Sequence, residues 1–222
     1  AFERARNIEA IIFDKTGTLT EGKPSVVECR DLGCSDDLGC EACDDLVALA
    51  YSLERHSTHP LAQAVEEEAE WRGKTNDYPP AKNLITRGGL GLEGIINGHR
   101  MTIGSLRLFE EEHDIPPKVH DWVDQAESAG RTAMLLCDGE KVRGFIAVAD
   151  SPRSNAREVV QSLKKMGKYA VMLTGDNETV AGVIGKEIGL DDVRSGLLPG
   201  DKQQAIKKLQ DQYGTVAMVG DG

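Results

Sequence analysis

Long apolar runs are missing from this chain of 222 residues: no stretch approaches the ~20 consecutive apolar residues that a spanning helix needs. The chain as given is therefore expected to stay in water. Its first residues, AFERARNIEA, lack the apolar core of a secretory signal. Lys and Arg form no block and the net charge is −11, which excludes a basic patch for nucleic acid or for an anionic membrane surface. An acidic protein can still hold a nucleotide in a local site. No Walker-type P-loop occurs, so phosphate has to be held by other means. Five cysteines are an odd number, too few for a secreted disulfide scaffold at this length, and they read as reduced thiols. Repeats and low-complexity segments are absent too. What remains is 40% hydrophobic residues over a length that suits two modest domains.

The centre of the chain is IIFDKTGTLT, Ile11 to Thr20. Ile11, Ile12 and Phe13 make a short continuous apolar run, which reads as the end of a fully buried parallel strand, and the chain then turns at once into Asp14, Lys15, Thr16, Gly17 and Thr18. A carboxylate is thus set at a strand's C-terminal edge, where open α/β sheets bind ligands. Gly17 among hydroxyl residues lets backbone N–H groups converge on an anion. Asp14 is the candidate nucleophile, attacking a phosphoryl group to give an aspartyl phosphate. The plain alternative is an Asp that only caps a turn. Two more apolar runs end alike, at Asp176 in VMLTGDN and at Asp221 in AMVGDG. Three carboxylates along one edge can share a cation. Magnesium fits, being hard and keeping waters and substrate phosphates beside one or two carboxylates.

The pattern divides the chain into 1–23, 24–147 and 148–222. Gly22 and Pro24 mark an exit from the first segment. A Cys- and Asp-rich loop is predicted over 29–45, then a helix capped by Asp44 or Asp45 and ending by about Thr58, and a second helix from Pro60 to a stop at Gly73. Asn97-Gly98 and Asp138-Gly139 are hairpin turn signals within an antiparallel sheet, and a helix closes at Gly130. After Asp150 strands and helices alternate as in a parallel sheet. The predicted fold is a doubly wound parallel α/β sheet split by an inserted α+β domain. The abrupt end at VGDG is expected of a piece of a longer chain.

DKTGTLT, Asp14 to Thr20, resembles the phosphorylation signature of P-type ATPases, the ion pumps that cycle through a phosphorylated aspartate. TGDN (Thr174 to Asn177), the Pro199-x-x-Lys202 spacing and Gly220-Asp221-Gly222 resemble further signatures of that family. The resemblance implies a haloacid-dehalogenase-like phosphorylation domain in which Asp14, the Thr16 carbonyl and Asp221 hold Mg2+. Thr174, Gly175 and Asp176 would line the phosphoryl site, and Lys202 would offset the repulsion between carboxylate and phosphate. The Asn and Asp that follow the family's magnesium motif are absent from this chain, so weak magnesium binding and poor turnover are expected of it. Soluble phosphatases of this general fold carry a second Asp two residues after the nucleophile. Here that position is Thr16, whose hydroxyl cannot do the proton work, so an aspartyl phosphate should persist.

ERHSTHPLAQA resembles the nucleotide signature of heavy-metal pumps, through Ser57, His59 and Pro60, with Glu54 at the acidic position. This implies ATP binding, with His59 against the adenine, Glu54 accepting from its amine, and Gly89, Gly91 and Gly104 lining the site. The alternatives are a His that meets water and glycines that only make a tight turn. Cys29, Cys34, Cys40 and Cys43 are a candidate zinc or soft-metal set, against a variable loop with free thiols. The implied partners are ATP, the transmembrane and actuator domains of a parent pump at the cytoplasmic face of a cell membrane, and a heavy-metal cation. SGLLPGDK and TVAMVGDG lean to zinc, cadmium and lead rather than copper. Two other classes remain: a soluble aspartate-dependent phosphatase with a cap domain, and a non-catalytic metal-binding module built on the cysteine loop.

Overall fold

Ile12 and Phe13, adjacent in sequence, are buried in two different cores, because successive side chains of a strand point to opposite faces. That strand is β1 (Ala10–Asp14) of a computed structural model that describes residues 7–34, 40–110, 114–139 and 141–220. The chain divides into two compact units. One comprises Pro24–Glu127 and Arg131–Ala149, and the other Ala1–Lys23, Ser128–Gly130 and Asp150–Gly222. Among the described residues no helix is long and apolar enough to cross a membrane.

The unit that holds β1 is built on a parallel sheet of four strands ordered β10-β1-β8-β9, where β8 is Tyr169–Leu173, β9 Asp192–Arg194 and β10 Val216–Val219. Below, helices are numbered in chain order, and three belong to this unit: α5 (Ala156–Lys165), α6 (Glu178–Ile188) and α7 (Pro199–Tyr213). Phe13 and Met172 pack under Val160 of α5 and Val180, Ala181 and Ile184 of α6. Ile12, Val171 and Leu173 pack on the opposite side against Leu209 of α7. The short strand β9 is absent from the sequence-based reading: three residues are too few to show a period.

The other unit is an antiparallel sheet of six strands ordered β2-β7-β6-β5-β4-β3. The strands are β2 (Ser25–Asp31), β3 (Lys82–Thr86), β4 (Gly91–Ile96), β5 (His99–Gly104), β6 (Thr132–Asp138) and β7 (Lys141–Ala149). Both faces of its middle are covered. Met134 and Leu136 of β6 face Leu46, Leu49 and Leu53 of α1 (Glu41–Glu54) and Val65 of α2 (Pro60–Trp71). Ala133, Leu135 and Cys137 face Phe109 of α3 (Leu106–Phe109) and Val119, Trp122 and Val123 of α4 (Pro117–Ser128). Asn97 and Gly98 both have positive φ, as a type I′ hairpin turn requires. At the other hairpin the ladder runs on to Asp138↔Lys141, so the turn begins at Gly139, one residue later than predicted.

The loop predicted over 29–45 is shorter than expected. β2 continues to Asp31, paired with β7 from Ala149 to Gly144, and α1 begins at Glu41. The buried Asp31 carboxylate is held there by Gly33 N–H at 2.7 Å and by the Arg143 guanidinium at 3.2 and 3.3 Å. Arg143 lies 112 residues downstream, beyond the reach of local pattern. Cys40, not Asp44 or Asp45, caps α1, because both aspartates are engaged elsewhere: Asp44 with Arg72, Asp45 with Arg143 and Tyr78.

Gly91 and Gly104 are register partners, and a Cβ on Gly91 would overlap the Ile103 carbonyl oxygen. Overpacking of that kind costs roughly 1–3 kcal/mol. Gly91→Ala should therefore lower the unfolding free energy read from urea titration by about that much, whereas Gly182→Ala, inside α6 with no atom within 4 Å of the added methyl, should raise it by up to ~1 kcal/mol.

Candidate active site

Asp14 ends the strand where the chain changes direction. From β1 the path steps to β8 and then β9 with α5 and α6 on one face. It then returns through α7 on the other face to β10, on the far side of β1. The connections part beside β1, and such a switch point leaves a crevice beyond the strand ends. A single turn over Lys15–Leu19, closed by Thr20 N–H to the Lys15 carbonyl at 3.1 Å, follows the carboxylate. Gly17 takes φ +76°, which a side chain would resist. Asp14 Oδ1 accepts from Lys15 N–H at 2.9 Å.

Lys202, in the first turn of α7, puts its ammonium 2.8 Å from Asp14 Oδ1 and 3.0 Å from Oδ2. Thr174 Oγ1 donates to Asp176 Oδ2 at 3.0 Å and accepts from Asp176 N–H at 3.1 Å. Asp176 in turn meets the buried Lys15 ammonium at 2.6 Å, so the β8 loop is tied to the residue next to Asp14. Gly175 lies between them, close to the Leu197 carbonyl. Thr16 is extended within the turn. Asp221 lies outside the described residues; its neighbour Gly220 sits against Asp14, where an added Cβ would be 3.6 Å from that of Asp14. The donor set, the Asp14 carboxylate and a backbone carbonyl, is all oxygen and suits magnesium.

Three residues of this site were not singled out from the sequence. Lys15 neutralises Asp176. Asp150 accepts from the Thr20 hydroxyl at 2.6 Å and from Gly22 N–H at 3.0 Å. Arg153 donates to the carbonyls of Gly17 at 2.8 Å and Thr18 at 3.1 Å. Apart from the Thr20 hydroxyl, Asp150 and Arg153 act on backbone groups, which carry no sequence signal. The only available cue was a charged pair, Asp150-Ser-Pro-Arg153, directly after a strand.

The nucleotide candidates lie in the other unit. Glu54, the last residue of α1, is half-buried, and its Oε2, which is itself buried, has no hydrogen-bond partner among the described residues. Burial pushes its pKa up, against a smaller opposing pull from Ser57. An unpaired buried oxygen costs roughly 1–3 kcal/mol, so a ligand N–H would be well received there. His59 is extended and caps α2: its Nδ1 accepts from Leu61 N–H at 3.2 Å, with Pro60 at the first helical position. That bond leaves the neutral ring's proton on Nε2. Ser57 Oγ accepts from His59 N–H at 3.2 Å. Gly89, at φ +79°, is in the turn before β4. Gly91 and Gly104 are glycines for their own strands' close approach, whatever else they admit.

The four-cysteine set does not assemble. The sulfurs of Cys34, Cys40 and Cys43 lie within 4.8 Å of one another, whereas Cys29 Sγ is directed to the Cys43 carbonyl at 3.6 Å and packs on the core. Nor are all the thiols reduced. Cys34 and Cys40 form a disulfide, brought to a Cα separation of 6.5 Å where β2 leads into α1.

A strand that ends in a carboxylate at the switch point of a parallel sheet is the geometry of the class, and the chain belongs to the haloacid dehalogenase-like hydrolase family, whose profile matches residues 8–222. Within that class it is similar to heavy-metal pumps. Copper-exporting P-type ATPase B of Archaeoglobus fulgidus is 40% identical over 222 residues, all of this chain and 30% of that protein. A probable cadmium-transporting ATPase of Alkalihalophilus pseudofirmus is 38% identical over 218 residues, 97% of this chain and 30% of that protein. Among solved structures, the catalytic domain of the CPx-ATPase CopB-B, studied on nucleotide binding, superposes with a TM-score of 0.73 at 26% identity, over all of this chain and 74% of that one. The chain thus spans about a third of the length of these curated relatives.

Asp176→Ala would leave the Lys15 ammonium buried without its carboxylate, and breaking such a pair costs about 3 kcal/mol or more. Urea unfolding should register that loss and a substantial recovery in Lys15→Met/Asp176→Ala. Glu54 gives a prediction in pH. Its folded pKa is raised, so its ionisation opposes folding above the ordinary glutamate range. Glu54→Gln should raise the urea midpoint at pH 7, and the gain should vanish below about pH 4, where the wild-type carboxyl is protonated whether folded or not.

Proposed function

We propose that the two units are the nucleotide-binding and phosphorylation parts of a heavy-metal-exporting P-type ATPase. ATP is held by Glu54, His59 and the turn around Gly89, Gly91 and Gly104, and its γ-phosphate is transferred to Asp14. The observation that carries this reading is the Lys202 ammonium on both oxygens of Asp14, with Thr16 where a phosphatase would have its acid. Lys202 offsets the repulsion between the carboxylate and the incoming phosphoryl group. Thr174, Gly175 and Asp176 flank the transferred group, and Lys15 prevents Asp176 from adding an uncompensated charge. Bound through the Asp14 carboxylate, the Thr16 carbonyl and Asp221, magnesium would supply further charge neutralisation. With no general acid at position 16, water is poorly activated and the acyl phosphate outlives the transfer.

The parent's transmembrane and actuator domains, at the cytoplasmic face of a membrane, are the partners of this proposal. The resemblance in SGLLPGDK and TVAMVGDG supports a zinc, cadmium or lead cargo. A copper cargo is the second reading, favoured by the similarity to the archaeal copper exporter.

Two measurements test the proposal. A non-hydrolysable ATP analogue titrated into the chain should bind at least ~10-fold more weakly to His59→Ala and to Glu54→Ala, one lost polar contact being worth ~1–2 kcal/mol, and with unchanged affinity to Asp14→Asn. With γ-labelled ATP and magnesium, acid-quenched protein should carry hydroxylamine-labile label that is absent in Asp14→Asn and slowed by ~10²–10³ in Lys202→Ala. Label retained by Asp14→Asn would sink the assignment. Steady phosphate release from small phosphoesters, indifferent to ATP, would favour the phosphatase instead.

A further inference from the structure

Three sulfurs converge in the antiparallel-sheet unit, at the end of α1 opposite to Glu54. Cys40 caps α1, and Cys43 stands in the helix's first turn with its sulfur 3.2 Å from Cys40 Sγ and its N–H 3.3 Å from the same atom. Cys34 completes the group, all three sulfurs lying within 4.8 Å of one another. Zinc–sulfur bonds of about 2.3 Å at tetrahedral angles put ligand sulfurs ~3.8 Å apart, so the group needs only small adjustments to surround one ion. A C-x2-C pair opening a helix also has the helix's N-terminal dipole to stabilise thiolates. Cys29, packed on the core, and Cys137, buried under the opposite face of the sheet, stand outside the group.

We propose that Cys34, Cys40 and Cys43 form a three-thiolate site for one soft or borderline divalent cation in the reduced protein, and that the Cys34–Cys40 disulfide is the closed form of the same site. Opening it requires a dithiol reductant. Two electrons and two protons pass to the Cys34–Cys40 bond, which breaks to two thiols, while the reductant closes to its own disulfide. The cation then displaces one proton from each of the three thiols. Thiolates select the cation for softness, which excludes magnesium, and three protein ligands leave a fourth position for water. The site is separate from the ATP reading and survives its failure.

Cadmium is the probe. The chain is reduced with a dithiol, freed of it without air, and titrated with Cd2+ while the ultraviolet thiolate-to-cadmium absorption is followed, with native mass spectrometry counting ions. One cadmium per reduced chain is expected and none per oxidised chain. Cadmium should protect Cys34, Cys40 and Cys43 of the wild type from alkylation, mapped by peptide mass. Cys34→Ser and Cys43→Ser should bind at least 10-fold more weakly, and Cys29→Ser and Cys137→Ser as the wild type does, circular dichroism verifying that each is folded. The proposal is overturned if the reduced wild type binds no cadmium, if the oxidised chain binds it equally, if Cys34→Ser binds undiminished, or if folded Cys29→Ser loses the site.

Discussion

A carboxylate and an ammonium that are 188 positions apart in the chain meet at the edge of a sheet, Asp14 with Lys202, and the rest of the parallel-sheet unit is arranged so that they can. Asp14 needs β1 buried on both faces to fix its height, and Lys202 needs α7 to cross the face opposite to α5 and α6. The doubly wound order of the strands supplies both at once. The second carboxylate at this edge, Asp176, has its own cation in Lys15. Each of these two described acids is thus matched by one lysine, and the edge can accept a polyanionic ligand without first overcoming a surplus of negative charge.

The antiparallel-sheet unit follows a different principle. Its sheet is covered on both sides of β6, so its rigidity is apolar, and its polar candidates stand at helix ends. Glu54 closes α1 and His59 opens α2, and the chain between them is held by Ser57 N–H to the Glu54 carbonyl at 2.8 Å. Having left a buried carboxylate oxygen unpaired, the unit carries a local cost that a ligand donor can relieve. Structures tolerate that kind of expense where binding repays it.

Legibility in the sequence tracked the range of the interactions. β1 and β8 were readable because burial leaves an unbroken apolar run, and the Asn97-Gly98 hairpin because its turn demands two residues tolerant of positive φ; β10 shows the same kind of run, but it is an edge strand whose Met218 and Val219 are exposed rather than buried as expected. The DKTGTLT resemblance led to Lys202 and Asp176 before any contact was known. β2 was missed in part because Asp31 is kept by Arg143 and Gly144 of a distant strand, and the disulfide because a pairing of cysteines is a fact of space rather than spacing. Asp150 and Arg153 were missed for a third reason: they hold main-chain groups of Gly17, Thr18 and Gly22, and any sequence has those.

The same two residues explain how a loop so exacting survives the insertion of a whole domain into its strand connection. Where the chain leaves the parallel-sheet unit and where it returns, the two segments are bonded to each other. Thr20 bridges Pro152, Glu21 N–H reaches the Ser151 carbonyl at 3.0 Å, and Arg153 N–H reaches the Leu19 carbonyl at 2.9 Å. Asp150 adds its carboxylate to Thr20 and Gly22. Closing this neck removes from the Asp14 loop the entropy that a long insertion would otherwise feed into it. Because Gly22 packs against Gly17, an added Cβ coming within 2.9 Å of the Gly17 Cα, the neck is fastened to the turn itself. The geometry around Asp14 is therefore set inside its own unit, by contacts that do not depend on what the inserted chain does.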